Sequence, residues 1–244
     1  MTNVPVVNDG ILYVNGLDLA WTADETISMA AGAARNSANV NDIVLASAVS
    51  INNTTNGANG LDTGSVANST MYAVYLIGDS TGYQATAGIM SADFDSPLLP
   101  FGYDMYRRVG AVRTDGTADN LLFWQNGVGQ SRSYYYDVGI SELSGGSSAT
   151  YAEVDLATSV PPIATNVLFA VTYTPNGATD VAEFIPFGSS ATTGVVRFGY
   201  GVAGAQVGMA TIPCRLDSAI PKVEYKVTSG DALTLLVMGY EDRL

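Results

Sequence analysis

The chain has 244 residues, 23 acidic side chains against 10 basic ones, a net charge of −13 and no histidine. The missing histidine excludes a Ser-His-Asp triad, a histidine metal site and an imidazole proton shuttle. The acidic balance, with Lys222 and Lys226 as the only lysines, argues against nucleic acid and anionic membranes, because both need clustered cations.

The predicted elements are short β-branched or aromatic runs broken by turn residues. Asn8-Asp9-Gly10 opens the chain with a turn signal. Positions 43–51 predict one strand with Ile43, Leu45, Val49 and Ile51 on one face. An Asn/Thr/Gly-rich stretch, 52–69, predicts a long polar loop of the kind that makes contacts. Positions 71–77 are apolar on both faces, as in a central strand. Positions 105–112 predict a strand with Arg107 and Arg108 on opposite faces, each free to meet a carboxylate. Thr114-Asp115-Gly116 has the chemistry of a hairpin tip. Runs at 121–124 and 133–138 follow, then 152–156, 167–173, 181–187, 195–200, 206–212, 223–227 and 233–238. That spacing fits an antiparallel β-sandwich or jelly-roll-like fold. The class is therefore all-β with very little helix, since 30–34 is alanine-rich but interrupted by Gly32.

Gly145-Gly146-Ser147-Ser148 marks the best internal boundary. It divides the chain into 1–142, a loop or linker at 143–150, and 151–244. Either one continuous β assembly or two small β-domains is compatible with it, and the unchanged composition across it favours the first.

Only 14% of residues are charged, against about a quarter in typical chains. A weakly charged surface suits a subunit packed against neighbours. The single cysteine, Cys214, permits neither an internal disulfide nor a cysteine metal site and reads as a small buried hydrophobe. Met1-Thr2-Asn3-Val4-Pro5 has no signal-peptide pattern, so synthesis in a cytoplasm is expected. No apolar stretch reaches the ~20 residues that span a bilayer.

Chemistry-bearing motifs are few. Asp93 and Asp95 form a carboxylate pair that would share a face if they lay on a strand. Asp115, Asp119 and Asn120 have weak calcium-loop character, and a plain turn explains them as well. The run from Gly199 to Gly204 loosely matches a dinucleotide fingerprint but lacks the helix that motif requires. No catalytic, cofactor or metal residue is assigned. Tyr134-Tyr135-Tyr136 is the sharpest aromatic cluster. With Arg107 and Arg108 it supplies the candidate contact residues. Alanine at Tyr134 or Tyr136 is expected to weaken surface contact more than folding.

A resemblance sharpens this. Tyr72-Ala73-Val74-Tyr75-Leu76-Ile77 precedes Leu99-Pro100-Phe101-Gly102-Tyr103, Tyr106-Arg107-Arg108-Val109-Gly110 and Phe123-Trp124-Gln125-Asn126. With Gly60-Leu61-Asp62-Thr63-Gly64 upstream, that order resembles a module of exterior structural proteins of tailed-phage particles. The resemblance implies a non-enzymatic virion protein, foremost a capsid decoration or cement protein on the head. It leaves open a tail-associated receptor-binding or adaptor protein, which would meet a host-surface glycan, and a glycan-degrading tail enzyme. The implied partners are copies of the chain itself, with a homotrimer preferred, and the major capsid protein or other virion proteins. The implied location is the particle exterior, and no cofactor is implied.

Overall fold

The computed structural model describes residues 12–190, 195–199 and 204–244. The Asn8-Asp9-Gly10 turn and positions 200–203 of the glycine-rich run lie outside the described residues. Those that are described hold twenty strands and no helix, so the chain is all-β.

Six short strands come first: β1 (Val14–Gly16), β2 (Leu19–Ala23), β3 (Thr26–Met29), β4 (Gly32–Arg35), β5 (Asp42–Leu45) and β6 (Val49–Asn52). They form two antiparallel sheets, β1-β4-β5 and β2-β3-β6. The run at 43–51 is thus two strands in two sheets and not one. Ala46, Ser47 and Ala48 bring little side-chain bulk to a ladder, and the chain changes sheets there. Ile43, Leu45 and Ile51 are nevertheless all buried, because both sheets face one core. The alanine-rich stretch falls in β4.

Next come β7 (Gly60–Leu61), β8 (Met71–Gly78), β9 (Ala87–Ser91) and β10 (Met105–Arg113), ordered β10-β8-β9-β7. β7 pairs with β9 in parallel, and the other pairs are antiparallel. Every residue of β8 is buried. One face, with Tyr72, Val74 and Leu76, joins the main core. Phe94, Leu99, Tyr103 and Tyr106 cover Ala73, Tyr75 and Ile77 on the other face. An apolar strand on both faces needs cover on both faces, and the loop at 92–104 supplies the second cover.

The remainder of the chain builds two larger sheets. Its strands are β11 (Phe123–Val128), β12 (Ser131–Gly146), β13 (Ala152–Asp155), β14 (Ala164–Thr174), β15 (Ala182–Pro186), β16 (Val196–Phe198), β17 (Gln206–Pro213), β18 (Arg215–Asp217), β19 (Ile220–Val227) and β20 (Ala232–Arg243). One sheet runs β11-β12-β20-β14-β17. The other runs β13-β19-β15-β16, with β18 also on β19.

The 143–150 segment is a linker only in its second half. Leu143 and Gly146 are still in β12, paired with Leu235 and Leu233 of β20. β12 therefore joins the two halves of the chain in one sheet, and buried residues from Val14 to Tyr240 form one cluster. The Gly/Ser composition marks an irregular strand, with register shifts at Leu143 and Gly146, rather than a boundary. Thr114-Asp115-Gly116 is also not a hairpin tip joining paired strands. An antiparallel bridge from Thr114 to Asn120 closes the turn, but β10 and β11 lie in different sheets.

Gly110 lets two layers meet. It follows a bulge in β10 at Val109. A Cβ at Gly110 would overlap the Tyr134 hydroxyl and come within 2.7 Å of Leu19 Cδ1. Gly110→Ala is expected to lower the unfolding free energy by about 1–3 kcal/mol in urea denaturation, because buried Tyr134 cannot yield. An unchanged midpoint would refute the close approach.

Candidate functional site

β11 and β12 place the tyrosine cluster by strand alternation. Tyr134 and Tyr136 point inward and are 1% and 4% exposed, whereas Tyr135 points outward at 38%. Tyr134 stacks on Tyr240 of β20, with ring centroids 4.7 Å apart and planes 15° from parallel. Tyr136 lies 6.2 Å from Tyr240, and Phe123 lies 6.0 Å from Tyr134. The hydroxyls are satisfied from within. Tyr136 donates to the Ser159 carbonyl and Tyr240 to the Ala111 carbonyl, each at 2.8 Å. Tyr134 accepts from Gln125 Nε2 at 3.0 Å. Burial pushes all three phenols well above their ordinary range. Tyr134 and Tyr136 are therefore core residues, which corrects their reading as contacts. The sheet face they share is the buried one, and Tyr135 alone of the three reaches solvent.

The arginine pair divides as strand geometry requires. Arg107 pairs across with Leu76 and Arg108 with Tyr75, so they occupy opposite faces of β10. Arg108 reaches Asp242 of β20 with Nη1 at 2.5 Å and Nη2 at 3.3 Å, and Nη2 also donates to the Arg243 carbonyl at 3.2 Å. Burial raises the Asp242 pKa although Arg108 opposes it, so desolvation outweighs the pairing. Arg107 is 7% exposed, and no carboxylate among the described residues meets it. Its face of β10 looks toward apolar side chains. Burial, then repulsion from Arg108, lowers its pKa. The expectation of one carboxylate per arginine thus holds for Arg108 and is corrected for Arg107.

The other motifs are local turns. Asp93 Oδ1 accepts from the amides of Asp95 and Ser96 at 2.8 and 3.1 Å, so the pair sits in a loop and not on a strand. Asp115 Oδ1 caps its turn through the Thr117 amide, the Thr117 hydroxyl and the Asp119 amide. Cys214 packs at the edge of the core, and burial pushes its thiol up to about 12. Among the described residues no group of three or more metal-ligating side chains is arranged around a common point. A charged network between β15, β16 and β19 is closed on itself. Buried Glu183 binds Lys226 at 2.7 Å, Arg197 at 2.8 Å and the Tyr151 hydroxyl at 2.9 Å.

No family model matches the chain, and no curated protein matches it. A solved structure, SGBP-B from a complex xyloglucan utilization locus in Bacteroides uniformis, is similar at 12% identity and a TM-score of 0.23, over 95% of this chain and 72% of that one. At that score the likeness carries no argument.

Two exposed surfaces are not explained by folding. The first is the outer face of the five-stranded sheet. Register aligns Trp124, Tyr135, Gly239, Leu168 and Thr211 in one row across all five strands. Leu236, Ala170 and Met209 form the next, then Thr234, Thr172 and Val207. None of these residues is charged. Val207 is 78% exposed, Met209 56% and Trp124 52%. Sequence reasoning missed this face. Its signal was present in Val167-Leu168-Phe169-Ala170-Val171, which is apolar on both faces although its strand has only one covered side.

The second is a loop tip beyond β8 and β9. Tyr83 is 90% exposed and Phe101 fully exposed. A Cβ at Gly102 would touch Gln84, so the two loops adjoin. Asp79 holds its loop by accepting from the Thr81 hydroxyl and amide at 2.6 and 2.8 Å and from the Tyr83 and Gln84 amides at 2.8 and 2.9 Å. These bonds, led by Thr81, lower the Asp79 pKa to about 2.

Two outcomes follow from these placements. Tyr134→Ala is expected to cost about 3–5 kcal/mol of stability, whereas Tyr135→Ala stays within about 0.5 kcal/mol. Denaturant unfolding of both variants checks this, and equal losses would refute the inside/outside assignment. Asp79 is expected to titrate near pH 2 by carboxyl carbon NMR. Because its folded pKa is depressed, its loop contribution is present above the ordinary carboxylate range and lost as pH falls toward 2. A midpoint near 4 would show that the Thr81 bonds do not form.

Proposed function

We propose that this chain is a non-enzymatic structural subunit of a tailed-phage particle, carried on the exterior as a decoration protein of the head and working as a homo-oligomer. One observation carries the assembly part: the three uncharged, largely apolar rows on the outer face of β12, β20, β14 and β17, with Glu241 at their border. Water on such a face is unfavourable, and association removes it. The absence of charge also lets identical faces meet without repulsion, which matters in a chain of net charge −13. The particle assignment rests on the resemblance across 71–126. The cation pairs described, such as Arg107 with Arg108, Lys226 with Arg197 and Lys222 with Arg215, are small and partly neutralised, so proteins are more natural partners than nucleic acid.

A tail-associated receptor-binding role is the second reading. The exposed Tyr83 and Phe101 tip favours it, because aromatic side chains on firmly tied loops make good contacts at low entropic cost.

Light scattering at micromolar concentration is expected to show an oligomer for the unaltered chain. Val207→Glu with Met209→Glu should convert it to a monomer with little change in unfolding temperature, since both side chains are exposed. A monomeric unaltered chain, or an oligomer indifferent to both substitutions, would sink the sheet-face reading. Copy number in purified particles separates the locations. Parity with the major capsid protein supports the head, and a small fraction of it supports the tail.

A further inference from the structure

The tip beyond β8 and β9 presents two aromatic side chains on loops that are firmly tied. Phe101 occupies the second position of a turn closed by the Tyr103 amide on the Pro100 carbonyl at 3.1 Å. Gly102, at φ +90°, supplies the left-handed third position that such a turn requires. Tyr83 sits in the loop that Asp79 holds. The two loops are also fastened to each other. The Ser80 amide donates to Asp104 Oδ1 at 2.8 Å, and the Ser80 hydroxyl donates to Oδ2. The Tyr103 hydroxyl donates to the Ala85 carbonyl at 2.8 Å. Gly102 lies against the Gln84 side chain, so the neighbours of Phe101 and Tyr83 touch. Exposed rings on loops ordered in advance lose little entropy when something docks on them.

The charge of the tip identifies what docks. No Lys or Arg occurs between Arg35 and Arg107. Asp79 and Asp104 take part in no ion pair among the described residues, so their charge is uncompensated. Their oxygens are nevertheless occupied. Asp79 accepts two hydrogen bonds on each oxygen, and Asp104 accepts one on each. A sugar hydroxyl seeking an acceptor finds none open on Asp79. A cation needs only the negative field and an open ring face, and the tip offers both. An anionic membrane is repelled. A second copy of the chain is a poor source of the cation. Of its 10 basic residues only Arg215 and Arg243 are both exposed and outside an ion pair among the described residues. Between the two basic side chains, arginine fits better, because its planar and weakly hydrated guanidinium stacks on a ring.

We propose that this tip docks an arginine-bearing segment of a partner protein, with guanidinium groups stacked on Phe101 and Tyr83 in the field of Asp79 and Asp104. This partner rests on the tip being a contact surface, as in the receptor-binding reading, and does not involve the outer sheet face.

The test is titration of the unaltered protein with the peptide Gly-Arg-Gly-Arg-Gly at about 0.15 M salt, followed by calorimetry and amide NMR. Saturable binding is expected, with shifts at residues 83, 84 and 101–104. The same peptide with neutral citrulline in place of arginine should bind about tenfold more weakly. Tyr83→Ala combined with Phe101→Ala changes no charge and removes two exposed side chains. That variant should keep its unfolding temperature and weaken the arginine peptide about tenfold. Asp104→Asn should weaken it about threefold, and Asp137→Asn, an exposed change on β12, should not. No saturation, equal affinity for the citrulline peptide, an unaffected aromatic variant, or equal weakening by Asp137→Asn would each overturn the arginine partner. So would conversion of an oligomer to a monomer by the aromatic variant, which would give the tip to a second copy. Attachment of purified particles to host cells separates the two claims. If the aromatic variant impairs attachment although the peptide does not bind, the contact surface stands and the arginine partner falls. If attachment is unchanged as well, both fall.

Discussion

Asp242 lies at the end of β20 with its carboxylate buried, two hydrogen bonds from Arg108 of β10. That pair, with the Tyr240 hydroxyl two residues before it bonded to the Ala111 carbonyl of β10, fastens the five-stranded sheet to the four-stranded one. The upward shift of Asp242 shows that removing its charge from water outweighs the attraction of Arg108. The pair is therefore better understood as fixing geometry than as adding stability. Between the two sheets the fit is close. Gly110 leaves room for the Tyr134 hydroxyl, and the Tyr240 hydroxyl bonds the carbonyl of Ala111 on the next position. A misplaced β20 would leave a charge, a hydroxyl and a ring stack unsatisfied together.

β20 can do this because it is central. β12 lies on one side and β14 on the other. Its inward residues Leu233, Leu235 and Val237 are fully buried. Each such side chain is worth about 1.5–3 kcal/mol of burial. Its outward residues Thr234 and Leu236 are only half-buried. The strand pays its structural role inward and leaves an apolar surface outward, and that surface is what makes an assembly function the best reading of the molecule.

The two arginines of β10 show how one dipeptide can serve two purposes. Alternation sends Arg108 to the face where Asp242 closes a structural pair, and Arg107 to the face where nothing does. The first is explained by the fold. The second is buried with no carboxylate partner among the described residues.

The sequence alone determined the all-β class, the near-continuous burial of β8, most strand positions in the second half and the loss of histidine chemistry. These follow from period-two patterning, turn residues and composition, which are local properties. It misjudged 43–51, where a local pattern cannot say that a chain changes sheets. It left 143–150 open, because glycine and serine mark a linker and an irregular strand alike. Alternation correctly separated Tyr135 from Tyr134 and Tyr136. Only the tertiary structure decided which side was buried, because that depends on Tyr240, more than a hundred positions away. The same reason hid the open sheet face and the lone Arg107. Whether an apolar face is covered or a charge is paired is set by what the fold brings opposite it, and no local pattern contains that partner.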